Sequence, residues 1–135
     1  MLEPHVHPVS VYYEDTDFSG VVYHANYLRY FERAREHLLG RDELVRLWKE
    51  DGVGFVVYKA NLSYREGARF GDELEIRTTV EIPSDYRAVF HQSVWKADGK
   101  QAMVDGEVHL VCVDRDQKLI RLPPSVHAVR RAARG

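Results

Sequence analysis

The segment with the clearest chemical potential runs from Asp15 to His24 and places two carboxylates, a Ser-Gly turn and a histidine close together. A helix is predicted to begin directly after it, at Ala25, with no Ser or Asp at the capping position, so the amides of its first turn are expected to be unpaired. Unpaired amides at the positive end of a helix dipole suit an oxygen that gains negative charge during a reaction. We therefore predict that Asp17 is a base or a nucleophile, beside an oxyanion site at the backbone amide of His24.

Each of these residues also has a structural interpretation. An Asp before Ser-Gly is common in turns, where its carboxylate accepts backbone N–H groups and does no chemistry. Asp15 would share one side of an extended strand with Asp17, so that repulsion raises the pKa of one of them, or it would point to solvent. The His24 side chain would contact a substrate or hold the turn, or it would be polar surface near a bend.

The composition predicts the general class of protein. With 135 residues, of which 44% are hydrophobic, the chain is expected to form one domain over residues 1–135. Nineteen Lys and Arg against 21 Asp and Glu give a formal net charge of −2, which argues against a nucleic-acid partner. Cys112 is the single cysteine and favours a reducing compartment. No secretory profile and no membrane-spanning run is visible, so we expect a soluble, cytoplasmic protein.

Other chemistries find little support in the sequence. His5 and His7 have the spacing of two ligands on one strand face, but no Cys or Glu follows at metal-site spacing, so no metal site is predicted. The chain has no Gly-rich phosphate loop, no dinucleotide fingerprint and no Gly-x-Ser-x-Gly elbow. These absences argue against nucleotide chemistry and serine hydrolase chemistry.

The hydrophobic periodicity predicts the elements that position the segment. Apolar residues three and four apart predict a helix over residues 25–39, ended by Gly40, and a shorter helix over 42–51. Alternation predicts strands, at residues 9–13, 56–64, 74–82, 86–97, 101–113 and 119–120, followed by a last helix at 125–133 or an extended tail. Consecutive strands joined by hairpin-type turns form antiparallel sheets, so the fold class is α+β, with a sheet curled around the long helix. A sheet edge rich in Val and Tyr favours pairing with a second copy.

Two blocks of the sequence resemble a known family. Residues 13–35 read YEDTDFSGVVYHANYLRYFERAR and resemble the hotdog-fold acyl-CoA thioesterases of the 4-hydroxybenzoyl-CoA thioesterase-like superfamily. The likeness is greatest to the bacterial group associated with the Tol-Pal cell-envelope system. Residues 64–76, YREGARFGDELEI, are also similar to that group. The resemblance covers nearly the whole chain.

The resemblance implies a hotdog fold in which the helix from Ala25 is the central one. It matches Asp17 to the family's catalytic carboxylate and the amide around His24 to the donor that polarises the thioester carbonyl. In this family two subunits form a continuous sheet and share each active site, so Asp17 would face strand residues near Phe55 to Lys59 of the other chain. The implied assembly is a homodimer that pairs into a homotetramer, and the implied substrate contacts are Tyr23, Phe55, Val57 and Lys59.

The predicted function is hydrolysis of an acyl-CoA thioester to a carboxylic acid and CoA, without a metal or organic cofactor. Acyl carrier protein is a further possible partner. The alternatives are a hotdog hydratase or dehydratase, and a binding module for acyl-CoA or acyl carrier protein without catalysis. Basic residues that could contact the CoA phosphates are candidates only, namely Lys59, Arg65, Arg87 and Lys96.

Overall fold

The computed structural model describes residues 3–132 and contains six strands and three α-helices in that range. In chain order these are β1 (His5–Ser10), α1 (Asn26–Leu39), α2 (Arg41–Arg46), β2 (Gly54–Tyr64), β3 (Glu73–Glu81), β4 (Arg87–Lys96), β5 (Val104–Val113), β6 (Leu119–Ile120) and α3 (Pro124–Ala132). A 3-10 turn at Tyr13–Asp15 precedes α1, and a π-helical turn at Leu47–Asp51 continues α2.

The strands form one antiparallel sheet in the order β1-β3-β4-β5-β2, and the short β6 pairs with β5. β1 and β2 are therefore the two edges. The β2 strand pairs with β5 along one side from Gly54 to Tyr64, and most of its residues are exposed. This leaves one long edge available for further strand pairing.

The long helix α1 packs on the inner face of the sheet because its apolar residues recur at helical spacing. Tyr27, Tyr30, Phe31 and Ala34 are each no more than 2% exposed, and burial of a side chain such as Phe31 typically contributes about 1.5–3 kcal/mol. They meet the inward-facing residues of β3, β4 and β5, among them Leu74, Ile76, Val80, Phe90, Val94, Val104 and Val108. The predicted α+β architecture, a sheet curled around one long helix, is confirmed.

One glycine permits the close approach of α1 to the sheet. A Cβ atom at Gly106 on β5 would lie 2.9 Å from the Phe31 ring and 3.1 Å from the carbonyl oxygen of Asn61. Real Cβ atoms are not found that close to a ring carbon, so any side chain here would push the helix away from the sheet.

Several predicted boundaries need correction. The first strand ends at Ser10 instead of continuing to Tyr13, because the chain turns into the 3-10 turn that carries Asp15. A β-bulge between Val57 and Lys59 shifts the alternation of β2, so Phe55 and Val57 share the inner face with Leu62, and Lys59 faces outward. The last segment is helical from Pro124 to Ala132, and its predicted final residue, Ala133, lies outside the described residues.

His5 and His7 occupy one face of β1, as their spacing predicts. The His7 ring stacks on His37 of α1, with the ring centroids 4.2 Å apart. Burial lowers the pKa of both His5 and His7, and the neighbouring His37 adds to the effect. The pair thus contributes to packing between β1 and α1. Within residues 3–132, no helix combines the length and the apolar character needed to cross a bilayer.

Candidate active site

The segment between the 3-10 turn and α1 is held in a tight loop. The Asp17 amide donates to the Val21 carbonyl at 2.9 Å, and the Gly20 amide donates to the Asp17 carbonyl at 3.0 Å. Gly20 has φ +84°, a conformation that favours glycine. The Val22 amide donates to Ala68 at 2.8 Å, which fixes the loop to the segment between β2 and β3.

Asp17 has one carboxylate oxygen engaged in the loop and one available. Its Oδ1 accepts hydrogen bonds from the Ser19 amide at 2.9 Å and the Ser19 hydroxyl at 2.6 Å. Its Oδ2 accepts none from the residues that the structure describes. The Ser19 hydroxyl, followed by the Ser19 amide, lowers the pKa of Asp17, and His24 lowers it further. The carboxylate is therefore ionised at neutral pH, as a base or a nucleophile requires. Oδ1 therefore stabilises the turn, as the structural interpretation of Asp17 expects, and Oδ2 is left available for the predicted role as a base or a nucleophile.

Asp15 contradicts both sequence-based expectations for it. It is only 8% exposed, and it lies on the 3-10 turn instead of on an extended strand or in solvent. Its carboxylate accepts hydrogen bonds from the Tyr12 amide at 2.8 Å and the Asn26 side-chain amide at 3.1 Å. It thereby ties the loop to the first residue of α1. The expected repulsion between the two carboxylates does not raise the pKa of Asp17, which is lowered.

The N-terminus of α1 has no side-chain cap, as predicted. Ala25 occupies the N-cap position without a side-chain hydrogen bond. The Asn26 amide donates to the Tyr23 carbonyl at 2.8 Å, whereas the amides of His24 and Ala25 donate to no residue in the described range 3–132. Both residues are exposed. Amide donors and the helix dipole therefore remain available for a ligand oxygen at this point.

Asp17 and His24 line the same cleft, which has a volume of about 190 Å³. Its other lining residues are Val21, Val22, Tyr27, Tyr64, Glu66 and Gly67. The Tyr64 hydroxyl donates to the His24 carbonyl at 3.0 Å, and the Ala68 amide donates to the Tyr27 hydroxyl at 3.1 Å. These bonds hold the helix N-terminus against the segment after β2. The predicted contact Tyr23 lies at the cleft margin, with its ring 4.5 Å from the His24 ring.

The sequence interpretation missed the part of the cleft contributed from the end of β2. Tyr64, Glu66 and Gly67 are far from Asp17 in sequence and reach it only through tertiary contacts, such as the hydrogen bond between Val22 and Ala68. A Cβ atom at Gly67 would lie 3.0 Å from the Val21 side chain, so a glycine suits this approach. In the sequence, only the second block of the family resemblance, which begins at Tyr64, pointed to these residues.

The remaining predicted contacts do not lie in the Asp17 cleft of the same chain. Phe55 and Val57 line a separate cavity of about 180 Å³ between β2 and α1. Lys59 lies beyond the bulge on the outer face, opposite His109 of β5. Among the candidate phosphate contacts, Arg65 pairs with Asp105, and Lys96 lies 3.8 Å from Glu66.

The fold and the cleft together define a class of protein, in which a curled sheet surrounds one helix and a carboxylate lies beside the N-terminus of that helix. The sequence profile of the thioesterase-like superfamily matches residues 11–129. The chain belongs to this family, and the predicted hotdog fold is confirmed.

Individual relatives agree with this assignment. The chain is 40% identical over 123 residues to the acyl-CoA thioester hydrolase YbgC of Escherichia coli O6:H1, which covers 90% of this chain and 91% of that protein. A probable thioesterase from Bartonella henselae superposes with a TM-score of 0.81 at 32% identity, covering 89% of this chain and 99% of that one. The 1,4-dihydroxy-2-naphthoyl-CoA thioesterase Slr0204 from Synechocystis shares the fold, with a TM-score of 0.86 at 23% identity over 94% and 95% of the two chains.

Proposed function

We propose that this protein hydrolyses acyl-CoA thioesters to a carboxylic acid and free CoA. The observation that carries the proposal is the pairing, in one cleft, of an ionised Asp17 that has a free oxygen with the unpaired amides of His24 and Ala25. A carboxylate supplies attack or proton transfer, and amides supply stabilisation of the charge that develops on the carbonyl oxygen. Thioester hydrolysis needs a group that attacks or accepts a proton and a group that stabilises the charge on the carbonyl oxygen.

In the proposed mechanism the thioester carbonyl oxygen accepts a hydrogen bond from the His24 amide. Asp17 Oδ2 then attacks the carbonyl carbon, the C–S bond breaks, and CoA leaves as a thiolate; water hydrolyses the resulting mixed anhydride. Alternatively, Asp17 takes a proton from a water molecule that attacks the same carbon. Both routes use one water and give one acid and one thiol. Since a thioester is already activated and a thiolate leaves readily, no metal or organic cofactor is required.

The proposed active unit is a homodimer that pairs through β2, with two dimers forming a homotetramer. The exposed edge from Gly54 to Tyr64 supports the pairing, because its outward N–H and C=O groups have no partner within the described chain. Two antiparallel copies of β2 would place Phe55 and Val57 of one chain beside the Asp17 cleft of the other. Tyr23 would contact the acyl-CoA at the mouth of that cleft.

The pantetheine arm of CoA is shared with acyl carrier protein, so an acyl carrier protein is included as a second thioester donor.

We further propose that the protein is located in the cytoplasm. A free thiol at the buried Cys112 is compatible with a reducing compartment. Burial also raises the pKa of this thiol to about 12, which makes it unreactive.

The proposal is tested by incubating the protein with short, medium, long and aromatic acyl-CoAs and a thiol-detecting dye. Release of one thiol per acid formed is expected for at least one acyl group. Hydration of an enoyl-CoA without thiol release would assign a hydratase instead. Tight acyl-CoA binding without either reaction would assign a binding module.

A further inference from the structure

The two unpaired amides of the candidate oxyanion site lie between two residues that are both bound by Asp15. The Tyr23 amide, on one side of the pair, donates to the Asp15 carbonyl at 2.9 Å. The Asn26 side-chain amide, on the other side, donates to Asp15 Oδ1 at 3.1 Å. The Asn26 backbone amide closes the turn by donating to the Tyr23 carbonyl at 2.8 Å. One residue therefore fixes both flanks of the donor pair formed by His24 and Ala25.

Asp15 is itself fixed to the rest of the fold. Its Oδ2 accepts a hydrogen bond from the Tyr12 amide at 2.8 Å. The preceding residue, Val11, is only 2% exposed, and its amide donates to the Asp72 carbonyl at 3.0 Å. These contacts connect the 3-10 turn to the residue directly before β3. The set of hydrogen bonds that joins Asp15 to Tyr12, Tyr23 and Asn26 is called the Asp15 clamp below.

The burial of Asp15 makes the geometry of the clamp strict. Within residues 3–132 no Lys, Arg or His forms an ion pair with this carboxylate, so its charge depends on the donors of Tyr12 and Asn26. Burial raises the pKa of the neighbouring Tyr30 hydroxyl, and Asp15 raises it further, so Tyr30 stays neutral beside the clamp. A buried charge that loses a hydrogen bond is costly. The carboxylate therefore strongly favours one position of the Asn26 side chain.

The start of α1 needs such a support because its own sequence supplies none. Ala25 at the N-cap makes no side-chain hydrogen bond, and the first amides of a helix have no partner within the helix. Donors that stabilise an oxyanion are effective when they are held in position before the charge develops. A displacement of about 1 Å can cost on the order of a hundredfold in rate.

We propose that Asp15 and Asn26 are positioning residues, which hold the amides of His24 and Ala25 in the orientation that binds the thioester oxygen in the transition state. This inference rests on the proposed thioesterase function. Every hydrogen bond of the clamp lies within one chain, so the inference does not depend on how two copies pair. The clamp acts through hydrogen bonding, and the negative charge of Asp15 is not itself required.

The first test measures kcat and KM with whichever of acetyl-, hexanoyl-, palmitoyl- and benzoyl-CoA the wild-type protein hydrolyses fastest. Asp15→Ala and Asn26→Ala should each lower kcat by about tenfold or more at nearly unchanged KM, because the displaced donors bind most strongly in the transition state. The double variant should be no slower than Asp15→Ala, since both changes remove the same contact. If Asp15→Ala does not fold, Asn26→Ala removes this contact from a half-buried position on the helix.

Two further variants separate the clamp from charge and from general effects on the turn. Asp15→Asn removes the charge but keeps the link, because the new side chain accepts from the Tyr12 amide and donates to Asn26 Oδ1 once that amide group turns over. It is expected to retain most of the wild-type kcat. Thr16→Val is the matched control, since the Thr16 hydroxyl donates to the Tyr13 carbonyl at 2.7 Å in the same turn. It should retain the wild-type kcat.

The stretching frequency of a bound thioester carbonyl reports the donors directly. With Asp17→Asn, which should hydrolyse slowly, a ¹³C-labelled thioester carbonyl is expected to absorb at lower frequency than in water, because positioned amides polarise the C=O bond. Adding Asn26→Ala should move the band back toward its value in water. A change that only lowered the folded fraction would leave the band of the bound substrate in place. The acidic limb of kcat/KM in Asn26→Ala should stay at the wild-type pH, because Ser19 is the main cause of the lowered pKa of Asp17.

The inference is overturned if folded Asp15→Ala or Asn26→Ala keeps a kcat within a few-fold of the wild-type value, or if Asn26→Ala leaves the carbonyl band unshifted. Asp15→Asn as slow as Asp15→Ala would assign the effect to charge, and Thr16→Val as slow as Asn26→Ala would assign it to the turn in general. Each of these results leaves thiol release by the wild-type protein, and so the proposed function, intact. Failure of the wild-type protein to release thiol from all four acyl-CoAs would remove the proposed function and this inference with it.

Discussion

At the residue scale, the hydrogen bonds from Ser19 lower the pKa of Asp17. Both its hydroxyl and its amide donate to Asp17 Oδ1, and the hydroxyl is the largest cause of the lowered pKa. A carboxylate held in this way stays ionised as the pH falls, so the enzyme is expected to keep its base or nucleophile under mildly acidic conditions.

Ser19→Ala should therefore raise the pKa of Asp17 toward its ordinary value. Since only the ionised carboxylate reacts, the acidic limb of the kcat/KM profile against pH should move to higher pH, with little change on the plateau. Ser19→Thr keeps a hydroxyl and serves as the control. An acidic limb at the same pH in the alanine variant would show that another group titrates there.

At the element scale, Gly106 sets the distance between α1 and β5. A methyl group at this position would lie 2.9 Å from the Phe31 ring, so Gly106→Ala is expected to destabilise the fold by about 1–3 kcal/mol through overpacking. Urea denaturation followed by tryptophan fluorescence measures the loss. Gly54→Ala is the matched control, because its Cβ would find its nearest neighbours at 3.8 and 3.9 Å. Equal stability of the two variants would contradict the close packing of α1 on the sheet.

The sequence predicted the elements well where one physical rule dominated. The apolar spacing of Tyr27, Phe31 and Ala34 was sufficient for the long helix, since burial of one stripe decides its position. The bulge after Val57 was not predictable from alternation, because an extra residue changes the face without changing the composition. Asp15 was misplaced for a similar reason, since its contacts with Tyr12 and Asn26 arise only after the 3-10 turn has formed.

The candidate site was predictable only where it is local in sequence. Asp17 and His24 were predicted together because one loop carries both. The unpaired amides at the N-terminus of α1 were expected because the sequence has no capping residue there. Tyr64 and Gly67 reach the cleft through tertiary contacts, which single-residue patterns do not report.

At the scale of the whole molecule, the exposed β2 edge should decide the assembly. Tyr58 is 46% exposed at the bulge, and Tyr58→Glu would place two like charges near the two-fold axis of a β2 pair. This variant should sediment as a monomer and lose thiol release, because each site needs both chains. Leu119→Glu, at an exposed position on β6, should leave both properties unchanged. Full activity in a monomeric Tyr58→Glu protein would contradict a shared site.

The central claim is that the Asp17 carboxylate acts on the thioester, and the most direct measurement is the rate of thiol release by Asp17→Asn. The variant keeps an oxygen that accepts the Ser19 hydrogen bonds, so the fold and the assembly should be retained, while the rate is expected to fall by roughly a hundredfold or more. Asp98→Asn, an exposed position in a turn, should hydrolyse acyl-CoA at the wild-type rate. Hydrolysis by Asp17→Asn within a few-fold of the wild-type rate would contradict the account.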